Sequence, residues 1–199
     1  MLRESVALGI EQVGRALREP EEFAARWRRG DARYGWFVWT GLIATSILGT
    51  ATYGMTMGLL GDWQRILLSA VRLTLGAGLA WGLPLPALYI FNSLGGSRLD
   101  PGSTFLAAIV TTSWGGLAMI ASVPINWFLT VAVPESTFVL AVNGIVFTGV
   151  GVAMTDVFRR VMTTLEPSRG SAPTWILGLV AVIGSELFYA FHLFDFATH

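Results

Sequence analysis

The side chains capable of chemistry are few, and most lie on one apolar stretch near the C-terminal end: Glu186, Tyr189, His192 and Asp195. Steps of three residues put Glu186, Tyr189 and His192 within one broad arc of a helix, where a carboxylate, a phenol and an imidazole could pass a proton. A single helix seldom builds a site alone, and no other segment offers the grouped His, Asp, Glu or Ser of an intramembrane protease or transferase. His192 and Asp195, i and i+3, read as a polar helix end. No catalytic residue is expected. With no cysteine and only His192 and His199 as histidines, neither a metal site nor a cofactor is expected.

A second group of residues bears on charge and ions. Trp63 to Leu94 reads as one long membrane helix interrupted by Pro84 and Pro86, which delete the hydrogen bonds to the carbonyls of Ala80 and Gly82. Unwound carbonyls beside an intramembrane carboxylate are the ingredients of cation sites in broken-helix transporters. Ala80, Gly82, Pro84, Pro86 and Asn143 are therefore candidates for an ion site, the alternative being an ordinary kink and a packing position. The same helix carries Arg65 and Arg72 on one side. Arg72 lies nine residues in from Trp63, about 13 Å deep, and Glu186 is left about 12 Å from the same face of a core of roughly 30 Å. Matching depths predict that the second and fifth spans are neighbours with Arg72 and Glu186 paired; snorkelling of Arg72 beside a protonated Glu186 is the alternative.

The elements that position these groups follow from composition. Of 199 residues, 53% are hydrophobic and 13% charged, against about 25% charged in soluble proteins. With a mean hydropathy of +0.61, the chain reads as an integral membrane protein. All thirteen basic residues are arginine, and thirteen acidic residues balance them, so no nucleic-acid surface is expected. The first twenty residues lack the apolar core of a signal peptide.

Residues 1–33 form an amphipathic arm. Leu2, Val6, Ile10, Val13 and Leu17 follow helical spacing, with Val6, Ile10 and Val13 as the face expected to be buried, and Pro20 starts a second helix that is acidic first and basic last. Residues 34–199 form a transmembrane domain, and the fold class is an all-α polytopic bundle of five spans at about 36–60, 63–94, 104–123, 137–158 and 174–196. Residues 124–135, opened by Pro124 and closed by Pro134, are a re-entrant piece, an interfacial piece or an extension of the third span. Small residues punctuate the spans: Gly54 and Gly58 as GxxxG, then Gly115, Gly144 and Gly151, all read as helix-packing positions. Asp156 and Arg160, one turn apart, read as a local ion pair.

The arginines set an orientation. Seven lie in the arm, one at Arg98 and three after the fourth span, so eleven of thirteen fall on one side of a five-span chain. That predicts a cytoplasmic N-terminus and an outside C-terminus; the membrane expected is a bacterial inner membrane.

Five spans behind a cytoplasmic arm, with Pro20 followed by Phe23 ahead of the first span, resemble the Yip family of membrane proteins. LYIFNSLGGSRL (88–99) and VPINWFL (123–129) also resemble a group of uncharacterised bacterial membrane proteins. The resemblance implies an all-helical membrane fold over the whole chain. In eukaryotes it implies membrane shaping and small-GTPase binding through the arm; the arm here is short and lacks such a motif, so that partner is not carried over. The function expected is a non-catalytic membrane module, in contact with the lipid bilayer, that assembles as a homo-oligomer or within a larger membrane-protein complex. The alternative is an oligomeric ion channel or small-solute transporter built on the broken second span and Glu186.

Overall fold

The computed structural model describes residues 2–32, 34–169 and 172–194, with the side chains of residues 2–7 not described. Leu2 and Val6 of the amphipathic stripe, Arg33 at the end of the arm, and Asp195, Phe196 and His199 at the end of the fifth span therefore lie outside the described residues or side chains. Among the described residues 84% are helical and no strand occurs. Eight α-helices follow one another among the described residues: α1 (Leu2–Arg18), α2 (Pro20–Arg29), α3 (Trp36–Met57), α4 (Trp63–Gly82), α5 (Pro84–Leu94), α6 (Pro101–Ala132), α7 (Ser136–Leu165) and α8 (Trp175–Ala190).

Three stretches are long and apolar enough to cross a membrane: Trp63–Leu94, Pro101–Ala132 and Ser136–Leu165. Five clear spans are not found among the described residues. At 22 residues α3 is long enough, but Thr40, Thr45, Ser46, Thr50, Thr52 and Thr56 dilute its hydropathy. The last apolar helix is short, 16 residues, and gives way to turns at 191–194. Residues 124–132 continue α6 through Pro124, which resolves that segment as a helix extension. Three helix starts are fixed by carboxylates. Asp62 accepts from the Arg65 N–H (2.9 Å), Asp100 from the Ser103 N–H (2.7 Å), and Glu135 from the Thr137 and Phe138 N–H groups (2.9 and 2.7 Å).

Helix α3 is the hub, packed on α4 and α6, and glycine makes both crossings close. A Cβ on Gly54 would stand 2.8 Å from the Ala70 Cα and the Ser69 carbonyl, and one on Gly58 would stand 2.6 Å from the Ile66 Cα, so the GxxxG is the α3–α4 contact. Gly49 and Gly116 bring α3 and α6 backbone to backbone in the same way. Polar bonds stitch the hub. The Ser113 hydroxyl donates to the Leu42 carbonyl (2.8 Å), Asn126 Nδ2 to Thr56 Oγ1 (2.7 Å) and the Tyr53 hydroxyl to Asn143 Oδ1 (2.8 Å).

The arm docks on one end of the bundle. Gly9 lies over Phe37, and Val13 lies over Gly41. Trp114 Nε1 bonds the Leu17 carbonyl (3.1 Å), and Trp27 Nε1 bonds Ser103 Oγ (3.0 Å). Phe23 is buried in a stack on Tyr34 with ring centroids 3.9 Å apart, while the Tyr34 hydroxyl donates back to the Phe23 carbonyl (2.7 Å). Burial pushes the Tyr34 phenol up to about 12. The docked face of α1 is Gly9, Val13 and Ala16, not the stripe through Ile10, which is 69% exposed. The close approach to Phe37 requires glycine, and this rotates the helix away from its most apolar line.

Candidate functional site

The ion-site reading requires a break in the second span, and the structure supplies only a junction. Leu83, between α4 and α5, keeps helical dihedrals (φ −66°, ψ −43°), and its N–H still reaches the Leu79 carbonyl at 2.9 Å. No unwound loop of carbonyls forms there. Asn143 is fully buried, its Oδ1 taken by Tyr53 and its Nδ2 by the Val139 carbonyl (2.8 Å), so it ties α7 to α3. Ala80 packs against Gly184 on α8, Gly82 is exposed and Pro84 is buried.

Helices α4 and α8 do pack together, yet Arg72 and Glu186 do not meet. A Cβ on Gly76 would lie 2.8 Å from Phe188, and one on Gly184 would lie 3.4 Å from Ala80. Arg72 reaches the His192 carbonyl at 3.5 Å. These three contacts fix one antiparallel register in which Arg72 is level with residue 192 and Glu186 with residue 78, six residues or about 9 Å farther along α4. The Glu186 side chain is exposed on the outward side of α8, and no ion pair or hydrogen bond joins it to Arg72. The predicted pair is thus corrected on both depth and direction. His192 sits with a positive φ of 53° just past α8, and Asp195 lies outside the described residues.

Of the small-residue positions, Gly54, Gly58 and Gly115 are packing sites, the last against Met154 of α7. Gly144 and Gly151 are not, since a Cβ on either would meet nothing within 4 Å. They open instead onto a feature the sequence reading did not anticipate, a cavity of about 1000 Å³. Its floor is α3 and α6, with Thr50 and Gly116; one wall is α4 and α8, with Gly78 and Gly178; the other is α7, with Gly151. Two aromatic contacts join α7 to the opposite wall. Phe147 of α7 meets Phe188 of α8 at 5.5 Å between centroids, and Trp81 of α4 meets Phe158 of α7 at 6.3 Å. Between those contacts the α7 and α8 walls stand apart.

Six of the eight Ser and Thr hydroxyls along this groove donate to their own helices. Thr50 donates to the Ser46 carbonyl, Thr74 to Ala70, Thr112 to Ile109, Thr148 to Gly144, Thr155 to Gly151 and Ser185 to Ala181, all at 2.8 to 3.1 Å. The rest of the lining is Gly, Ala and larger apolar side chains.

A polar cluster ties the arginine-rich end. Glu166 accepts from the Ser97 hydroxyl (2.7 Å) and the Arg98 N–H (2.8 Å), while buried Asn92 donates to Ser97 (3.2 Å) and accepts from Arg169. Beside it Arg160 bonds Asp156 (2.9 Å), as its spacing predicts, and also Glu21 of the arm (2.6 Å). These bonds fasten the 95–100 loop, the end of α7 and the arm to one another. Asn92 and Ser97 belong to the LYIFNSLGGSRL stretch, but a loop-to-helix network 69 residues apart leaves no periodic signal. Among the described residues, no three His, Asp or Glu side chains group as metal ligands.

Comparison of the chain with known protein families, with characterised proteins and with solved structures finds no match in any of the three.

Proposed function

We propose that the chain is a non-catalytic integral membrane module that assembles with itself or with a larger membrane complex. In this reading α3 and α8 cross the bilayer beside the three long apolar stretches, giving five spans with a cytoplasmic N-terminus and an outside C-terminus in a bacterial inner membrane. A Yip-like arrangement is part of the same proposal, and the burial of Pro20 and Phe23 where the arm docks is in keeping with it. The clustering of the arm, the 95–100 loop and the end of α7 at one pole gives the arginine asymmetry a common side.

The observation that carries the assembly reading is Glu186. It lies on the outward face of α8 with exposed Trp175, Val182 and Tyr189 along the same side. A carboxylate at such a place in a membrane helix costs several kcal/mol unless it is protonated or partnered, on the order of 2.5 to 3.5 by insertion scales. A partner helix offering a donor or a cation would satisfy it. The test is the mass of the protein in mild detergent and in native membranes after cross-linking, for the wild type and Glu186→Leu. The wild type is expected to run as an oligomer or a larger complex, and the variant as a monomer. A monomeric wild type that captures no neighbour in either setting refutes the proposal.

A further inference from the structure

We infer that the groove between the α4–α8 and α7 walls is a binding site for one acyl chain of a phospholipid. The inference rests on the membrane reading above but concerns a different surface from the Glu186 face. Water is a poor occupant, because a water molecule needs two to four polar partners, while most hydroxyls here give their protons to their own helices and the rest of the lining is apolar. An empty cleft of about 1000 Å³ would deprive its lining atoms of van der Waals contacts. Hydrocarbon is the remaining occupant, and its length fits. On α7 the lining runs from Gly144 to Thr155, eleven residues, about 16 Å. One leaflet of a core of roughly 30 Å is about 15 Å deep, which is the reach of a single lipid tail. The glycines make the room: Gly78, Gly151 and Gly178 face it with nothing within 4 Å of a Cβ, so they are not required there for helix contact.

That openness gives a test in which the fold is preserved. Leucines at 151 and 178 fill the groove without meeting another atom at their Cβ, and replacing glycine in a helix costs nothing in propensity. Gly149→Leu, also in open space but not in the groove lining, is the control. Trp81 lines the groove and reports on it. The full chain is reconstituted in phosphatidylcholine vesicles with plain or brominated acyl chains, floated on a gradient, and read by tryptophan emission. The Trp81 contribution is the difference from Trp81→Phe under the same conditions. The expected result is strong quenching of Trp81 by brominated chains in the wild type and the Gly149→Leu control, and its loss in Gly151→Leu/Gly178→Leu. Native mass spectrometry should show one retained phospholipid lost in that double variant and kept in the control. Equal quenching in all three proteins with no retained lipid sinks the groove proposal while flotation leaves the membrane reading standing; failure to float sinks both. Because the chain has no cysteine of its own, Gly151→Cys and Gly178→Cys proteins can be mixed. Efficient disulfide formation between copies would place a second chain in the groove and overturn the lipid.

Discussion

The bond between Tyr53 and Asn143 separates a packing role for Asn143 from an ionic one. Both side chains are wholly buried, and the 2.8 Å bond joins α3 to α7 across the middle of the hub. Tyr53→Phe keeps the ring and its contact with Phe147 at 5.7 Å but strands Asn143 Oδ1. Stranding a buried acceptor costs about 1–3 kcal/mol. Interhelical bonds inside membranes average nearer 0.6 and reach about 1.7, because the unfolded helices also find partners. The expected loss for Tyr53→Phe is therefore about 1–1.5 kcal/mol, with a similar loss for Asn143→Leu, which strands the phenol. In the double variant neither group is left unpaired, so its loss should fall short of the sum by about 1 kcal/mol. Reversible unfolding in mixed micelles, followed by circular dichroism, measures all four corners of the cycle. If the two losses add within about 0.3–0.5 kcal/mol, the bond is not the tie between α3 and α7. If instead Asn143→Leu leaves stability unchanged and alters ion flux in vesicles, the ionic reading returns.

Gly54→Ala should weaken the fold by about 1–3 kcal/mol, since its Cβ meets backbone at 2.8 Å, whereas Gly151→Ala, with nothing within 4 Å, should be neutral or stabilising by up to about 1 kcal/mol; the same micelle unfolding assay decides. Phe23→Ala should cost about 3–5 kcal/mol of arm docking, read as loss of amide protection over α1 and α2 while α6 stays protected. At the start of α7, the Thr137 and then the Phe138 N–H groups hold the Glu135 carboxyl below its ordinary value of 4.5. A depressed folded-state value means a contribution fully present above pH 4.5 and lost as pH falls through the lower folded value. Amide exchange at the start of α7 should accelerate over that acid window in the wild type, and Glu135→Gln should flatten the dependence.

Helical periodicity and prolines made much of the fold legible: the start of the second span at Trp63, its interruption at Pro84, and the arm as two helices sit where their residue types place them. The GxxxG at Gly54 and Gly58 was legible because the motif names a contact of one kind. Gly144 and Gly151 show why the rest was not. A glycine that admits a neighbour and a glycine that leaves a void look alike in sequence, and only the separation of α7 from α8 tells them apart. Nor does a count of Ser and Thr reveal a hydrocarbon-lined groove, because the bonds that hide their hydroxyls run back into their own helices.

Arg72 and Glu186 define the limit of reasoning by depth. Counting residues inward from each helix end assumes that each end lies at a membrane boundary, and it gives no rotation about either axis. The contacts of Gly76 with Phe188 and of Ala80 with Gly184 set the register instead, and small residues against aromatic ones choose it for packing, not for charge. In that register the guanidinium meets a backbone carbonyl beyond the end of α8, where the helix has run out of internal donors. The arginine thus has a local acceptor that no search for a carboxylate would find. Glu186 is left on the outward face, and that exposed position makes it an argument for a neighbour.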